Sequence, residues 1–209
     1  MAGLVFCVVE ALDLPWVFDY GARPVEFHQV GFAWRDGQLT ANSVGIFSKL
    51  FTSLFLHGGP EHIVHNMVFL WTFGSLTAQL LGKWWALALF FVCGACGNIL
   101  QICLNLESPI PIVGASGAIC GFEGVYLGLA LRWALAWPDV WPLARPIPPM
   151  QLAAFAILGV AFDLYSLVNH AQGVAYGAHL GGFLSGLIIG VIITWAYPAH
   201  GTFRSPRGR

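Results

Sequence analysis

Three short polar segments interrupt an apolar chain, and each stands at the start of an apolar stretch. Their reactive side chains are His57, His62 and Asn66 in the first segment, Ser116 in the second and His179 in the third. Acyl transfer uses these groups, because a base must activate a hydroxyl nucleophile and donors must stabilise the oxyanion. Whether they act together depends on the elements that position the three segments.

Each of these side chains also has a purely structural interpretation. Ser116 suits the N-cap of a helix. A buried histidine at position 62 or 179 can be satisfied by a backbone carbonyl, and Asn66 can join two membrane helices. Taken together, these interpretations require a coincidence of depth and chemistry in three separate segments, so the joint pattern favours a functional site.

The composition is that of a membrane protein. Of 209 residues, 57% are hydrophobic and 9% are charged, whereas an ordinary soluble domain has about 25% charged residues. The mean hydropathy is +0.73. The formal net charge is −1 and no run of four basic residues occurs, which excludes nucleic-acid binding and attachment to acidic lipid through a basic patch.

Charged residues divide the chain into six predicted helices within a single domain, 1–209. The predicted fold is all-α, a polytopic membrane helix bundle whose first helix is short or truncated. Asp163 marks the predicted end of the fifth helix. The predicted segments are the first helix at 1–14, a long outer loop at 15–60, the second helix at 61–82, the third at 84–105, the fourth at 115–132, the fifth at 150–163, the sixth at 174–197 and a basic cytoplasmic tail at 198–209.

The basic residues favour an orientation with both termini in the cytoplasm. Only three of the nine Lys and Arg residues then lie on the outer side, all of them in the loop 15–60, in agreement with the positive-inside rule. The second, fourth and sixth helices then begin at one level in the outer leaflet, where the three polar segments stand.

The spacing of small residues predicts that the fourth and sixth helices approach closely. Glycines recur along the fourth helix, and Gly182 and Gly186 face them from the sixth. Ser116 is then expected to reach His179, which acts as its base. No acidic residue stands beside His179 in the sequence, so a dyad is predicted rather than a triad.

The oxyanion donors are expected at the starts of two helices. His62 and Asn66 are separated by four residues, so they share one face of the second helix. Backbone N–H groups at the start of the fourth helix have no partner within that helix. These groups, the Asn66 amide and the His62 ring are the predicted donors to a tetrahedral intermediate.

These residues resemble the rhomboid intramembrane serine proteases over about residues 51–186. The resemblance rests on His-x4-His-x3-Asn at 57–66, Gly-x-Ser-Gly at 114–117 and Ala-His with following glycines at 178–186. It implies a six-helix bundle, a Ser116–His179 dyad and oxyanion assistance from His62 and Asn66. It further implies cleavage of the transmembrane segments of other proteins within the bilayer, with no cofactor. No metal site and no nucleic-acid partner are expected.

The chain departs from the family pattern at three supporting positions. Ser48-Lys49 stands where many members have Trp-Arg, and Ala78 stands where a glutamate is common. Cys120 replaces the tyrosine that often stacks on the catalytic histidine. These changes concern the anchoring of the first loop and the support of the site.

Three other classes remain open. A transporter or channel is favoured by Glu123, which lies two turns below Ser116 and is expected to pair with Asn98 or Gln101 of the third helix. A metal-dependent hydrolase using His62 and His65 lacks a carboxylate ligand cluster. A catalytically inactive rhomboid-like protein that binds clients is disfavoured by the presence of both serine and histidine.

Two loops have expected roles. The aromatic-rich outer loop suits a partly immersed hairpin packed against the bundle, and the polar segment 164–173 suits a movable cover over the site.

The short chain suggests the bacterial plasma membrane, with a site that opens to the outer side.

Overall fold

The computed structural model describes residues 16–135, 148–171 and 173–197, which fold into a bundle of helices. Within these ranges no strand occurs, and Ala22 and Ile112 form an isolated antiparallel bridge. The predicted all-α class is confirmed. The predicted first helix (1–14), the tail (198–209) and most of the proline-rich loop lie outside the described residues. The helices are α1 (Trp16–Tyr20), α2 (Pro24–Arg35), α3 (Ala41–Thr52), α4 (Pro60–Phe69), α5 (Ser75–Leu81), α6 (Lys83–Leu104), α7 (Ser116–Ala130), α8 (Pro149–Val168) and α9 (Tyr176–Ala196).

The predicted outer loop 15–60 is helical over much of its length, which corrects the sequence prediction. Pro24 begins α2, since a proline in the first turn lacks only an N–H that would be unbonded anyway. Thr40 caps α3 through a capping box with Ser43. Charged and polar residues within α2 and α3 hide this helicity from a search for apolar runs.

The second predicted helix is a single helical segment with a wide turn in its middle. Gly59 precedes Pro60, and Glu61 stands in the first turn, where a carboxylate complements the helix dipole. A π-helical turn, Leu70–Gly74, joins α4 to α5. The segment ends at Gly82, whose φ of 94° is a conformation that favours glycine.

Helices α6, α8 and α9 are each long and apolar enough to cross a membrane, and α7 is a shorter apolar helix. Helix α8 continues past Asp163 to Val168, so the predicted end of the fifth helix at 163 is wrong. The reason is that the Asp163 carboxylate faces a partner inside the protein and therefore does not end the helix. The predicted cover, 164–173, is accordingly helical in its first half.

The core of the bundle is the contact between α7 and α9. A Cβ atom on Gly182 would overlap the Gly117 carbonyl, and one on Gly186 would overlap the Gly121 carbonyl. We call these four residues the glycine seam. The predicted close approach of the two helices is confirmed, because only glycine fits at these contacts.

The segment before α7 is tied to the outer helices. Gly114 N–H donates to the Ser53 carbonyl at 3.0 Å, and Asn98 Nδ2 donates to Leu50 O and Ser53 Oγ, both at 2.9 Å.

An ion pair joins the outer helices to each other. Lys49 Nζ pairs with Glu26 at 2.8 Å, and both side chains are mostly buried. These contacts connect α2, α3 and α6 to the loop that carries the serine.

Candidate active site

Ser116 and His179 are in hydrogen-bond contact. Ser116 is the first residue of α7 and His179 the fourth of α9, and Ser116 Oγ lies 2.9 Å from His179 Nε2. The N-cap of α7 is Ala115, with no side-chain cap bond, so the serine is not used as a cap. Gly117 and Gly182 of the glycine seam follow Ser116 and His179 by one and three residues, so the close helix contact lies next to the pair.

Asp163 is the site residue that the sequence prediction missed. Its Oδ2 lies 3.0 Å from His179 Nδ1, and both side chains are mostly buried. The sequence predicts a dyad in which His179 has no acidic partner. The geometry contradicts this prediction, because α8 places the Asp163 carboxylate, sixteen residues upstream, beside His179. An acidic residue inside an apolar stretch that precedes the third polar segment is the signal that points to it.

His62 faces the serine across Gly114. A Cβ on Gly114 would lie 2.6 Å from His62 Nε2 and 3.7 Å from Ser116 Oγ. Gly58 N–H donates to His62 Nδ1 at 3.3 Å, so in the neutral ring the proton is on Nε2. The ring thus directs an N–H donor toward the space beside Ser116.

Asn66 is buried one turn further along α4. Its Nδ2 donates to the His62 carbonyl at 2.9 Å. This bond uses one of its two amide hydrogens, so Asn66 also holds the backbone of His62 in place.

His57 supports His62 from the loop before α4. The two rings meet edge to face, with centroids 5.0 Å apart. Burial, with a further contribution from the neighbouring His62, lowers the pKa of His57 from 6.5 to about 4. His57 is therefore neutral at physiological pH.

Glu123 does not make the predicted pair with Asn98 or Gln101. The Asn98 amide is used on Leu50 and Ser53, and Gln101 Oε1 lies against Gly177. The Asp163 carboxyl disfavours the charged form of the Glu123 carboxyl and is not a pairing partner for it. The prediction failed because the contacts of Asn98 run to the outer helices rather than to α7.

Two further sequence expectations are addressed by the geometry. His65 is exposed on α4, and the cluster of metal-binding residue types found in the described ranges is Cys120, Asp163 and His179, which does not support a His62–His65 hydrolase.

The Tyr176 ring lies edge-on to His179 at 6.4 Å, so an aromatic ring contacts this histidine although position 120 has none.

Residues 45–196 match the Rhomboid domain family. The chain belongs to the rhomboid family. Rhomboid protease GluP of Bacillus subtilis (strain 168) is 33% identical over 163 residues, which are 78% of this chain and 29% of that protein. RHOMBOID-like protein 7 of Arabidopsis thaliana is 32% identical over 146 residues, 69% of this chain and 42% of that protein. Putative rhomboid protease YdcA of Bacillus subtilis (strain 168) is 34% identical over 104 residues, 47% of this chain and 50% of that protein.

This rhomboid is a multi-pass membrane protein whose relatives include proteins named as proteases. It spans less than half the length of the first relatives that it matches. The relatives come from a plant as well as from bacteria, so the predicted bacterial plasma membrane is not supported.

Proposed function

We propose that this rhomboid is an intramembrane serine endopeptidase that cleaves transmembrane segments of other membrane proteins. The observation that carries the proposal is the hydrogen-bonded chain from Ser116 through His179 to Asp163. Serine hydroxyls become nucleophilic when a positioned base takes their proton, and this chain provides both the base and a group that orients it.

In the proposed mechanism Ser116 Oγ attacks the carbonyl carbon of the scissile peptide bond, and His179 Nε2 accepts the hydroxyl proton. Asp163 accepts a hydrogen bond from His179 Nδ1–H. It thereby holds the ring in the tautomer whose Nε2 is free to take the proton, and it stabilises the imidazolium that forms.

The oxyanion of the tetrahedral intermediate develops beside Ser116. Backbone N–H groups at the start of α7 are unpaired by helix geometry, and His62 Nε2–H points to the same space. We assign these donors to the oxyanion, with Asn66 holding His62 and contributing its remaining N–H. His179 then protonates the leaving amine, and water, activated by the same histidine, releases the acyl group from Ser116.

The proposed substrates follow from where the site lies. Ser116 and His179 stand in the first turns of two apolar helices of the bundle, and the distribution of basic residues favours an orientation with these helix starts toward the outer leaflet. A substrate segment must unwind near that level, because a peptide bond in a regular helix is shielded from attack.

The test is a cleavage assay with purified protein in lipid and a tagged single-span substrate. Ser116→Ala and His179→Ala are each expected to lower the rate by about 10⁴-fold or more, because the members of such a unit fail together. In metal-free buffer a chelator should leave the wild-type rate unchanged. Normal cleavage by Ser116→Ala contradicts the proposal.

The transporter class is tested separately. Glu123 and Asp163 carry interacting carboxyls inside the bundle, which is the observation in its favour. Sealed vesicles containing wild type should show no proton or solute flux above that of empty vesicles. If wild type shows a flux that Glu123→Gln abolishes, and if wild type does not cleave the substrate, the protein is a transporter and not a protease. A protein that shows neither cleavage nor flux but retains a single-span client belongs to the inactive, client-binding class.

A further inference from the structure

Three metal-ligating side chains converge behind His179, one from each of α7, α8 and α9. Cys120 Sγ, an Asp163 carboxylate oxygen and His179 Nδ1 all lie within 4.8 Å of one another. Thiolate, carboxylate and imidazole are the ligands that Zn²⁺ binds in proteins. We propose that these three residues form an inhibitory binding site for a thiophilic divalent cation such as Zn²⁺.

The geometry needs a small adjustment to hold the ion. Tetrahedral coordination at ordinary Zn–N, Zn–O and Zn–S bond lengths separates the ligand atoms by about 3.3–3.6 Å. His179 Nδ1 and Asp163 Oδ2 are already 3.0 Å apart. Cys120 Sγ lies within 4.8 Å of both atoms, so it must move toward them by at most about 1 Å to reach these separations. The fourth position is left for water.

The charges around the cluster favour a cation. Asp163 interacts with the second carboxyl, Glu123, which stands one turn beyond Cys120 on α7. In the part of the chain that the structure describes, no lysine or arginine forms an ion pair with either group. Two charged carboxyls within a membrane bundle are costly without positive charge, so a divalent ion bound at the cluster would stabilise their charged forms.

Binding there blocks the base, a consequence that rests on the proposed function. The metal takes the lone pair of His179 Nδ1, so the single proton of the neutral ring is on Nε2. Nε2 then cannot accept the proton of Ser116. The Cys120 thiol releases its proton to solvent as the Zn–S bond forms, and binding therefore strengthens as the pH rises.

Direct binding is measured with Cd²⁺, whose bond to a thiolate gives an ultraviolet charge-transfer absorption. Purified full-length protein in detergent is titrated with the metal alone. Cys120→Ala and Cys120→Ser are each expected to bind one equivalent less than wild type, and Asp163→Asn to bind that equivalent more weakly. Cys103→Ala, which removes an exposed cysteine on α6, is the matched control and should keep the wild-type stoichiometry.

Inhibition is measured as the rate at which a fluorophosphonate labels the protein, each variant being compared with its own rate in metal-free buffer. At a Zn²⁺ concentration ten times the dissociation constant, wild type and Cys103→Ala should label about tenfold more slowly, since about one molecule in eleven remains free. Added chelator should restore the rate. Zn²⁺ should leave the Cys120→Ala and Cys120→Ser rates unchanged.

The two arms separate failure of the site from failure of the proposed function. Ser116→Ala keeps all three ligands and should bind Cd²⁺ like wild type, so the binding result stands even if no form of the protein is labelled. The metal site is overturned if both Cys120 variants keep the full Cd²⁺ stoichiometry, or if Zn²⁺ slows the labelling of wild type and of both variants equally.

Discussion

Helices α7 and α9 position Ser116 and His179 through contacts between their backbones. Helix α8, in contrast, reaches the site through the side chain of Asp163. Ten of the fifteen residues of α7 are buried, against three of the twenty in α8. The glycine seam brings Ser116 and His179 together with helix backbones touching. Asp163 reaches His179 from a helix that exposes most of its surface.

This difference divides the site into a fixed pair and a third group on a more weakly packed helix. Packing density sets how much a position can move, because backbone contacts leave no room for adjustment. We expect substitutions in the seam to disturb both the fold and the chemistry, and substitutions in α8 to disturb the chemistry alone. The following experiments test that expectation, from the largest expected effect to the smallest.

Asp163→Asn should lower turnover by about 10⁴-fold without a change in thermal stability beyond about 1 kcal/mol. The amide donates to His179 Nδ1, which moves the ring proton to Nε2 and removes the base. Turnover and substrate binding are measured separately, and turnover alone should fall. Glu123→Gln, the neighbouring carboxyl, is the matched control and should retain activity. A rate for Asp163→Asn within about tenfold of wild type means that Ser116 and His179 act as a dyad.

His62→Ala should lower turnover by about 10²–10³-fold and leave substrate binding nearly unchanged, because its N–H is used only by the developing oxyanion.

Asn66→Ala should have a smaller effect than His62→Ala, since the Asn66 amide already donates to the His62 carbonyl. Both variants should still react with a fluorophosphonate, more slowly than wild type. Full turnover with a lowered unfolding temperature in Asn66→Ala assigns Asn66 to helix association alone.

Gly182→Ala should destabilise the protein by about 1–3 kcal/mol and slow cleavage, because its Cβ overlaps the Gly117 carbonyl and pushes α9 from α7. Gly159→Ala on α8 is the matched control. A Cβ there meets nothing within 4 Å, so alanine should be neutral or stabilise the helix by about 0.5–1 kcal/mol. Thermal unfolding in detergent measures both. Equal effects of the two substitutions contradict the division into a fixed seam and a weakly packed α8.

The support that His57 gives to His62 is tested through the pH dependence of stability. The pKa of His57 is lowered from 6.5 to about 4 in the folded protein, so the unfolded chain takes up the proton first as the pH falls. Stability from the neutral ring is present above pH 6.5 and is lost progressively as the pH falls toward about 4. The unfolding temperature of His57→Gln should fall less over this range than that of wild type. Parallel curves show that His57 is not the titrating group.

The sequence predicts the pair on the seam more fully than it predicts the rest of the site. Gly-x-Ser-Gly and the glycine spacing are local patterns, and they indicate both the nucleophile and the close helix contact. The sequence predicts a helix end at Asp163, because a carboxylate in an apolar stretch indicates an end unless a partner is known. Its partner is sixteen residues away on another helix, a contact that local periodicity does not encode.

The outer helices show the same limit. Pro24 and Thr40 carry local start signals for α2 and α3, respectively, but the mixed polarity of these segments predicts a loop. The Lys49–Glu26 pair and the bonds of Asn98 that anchor them span more than twenty residues. Such contacts follow from tertiary packing and not from the pattern of any one segment.

The central claim is that Ser116 is the activated nucleophile, and the most direct measurement is the position of a covalent adduct. Wild-type protein in lipid is treated with a fluorophosphonate, digested and analysed by mass spectrometry. We expect one modified serine, Ser116, and no adduct in His179→Ala, because the serine lacks its base. An adduct on another serine, or labelling of His179→Ala at the wild-type rate, contradicts it.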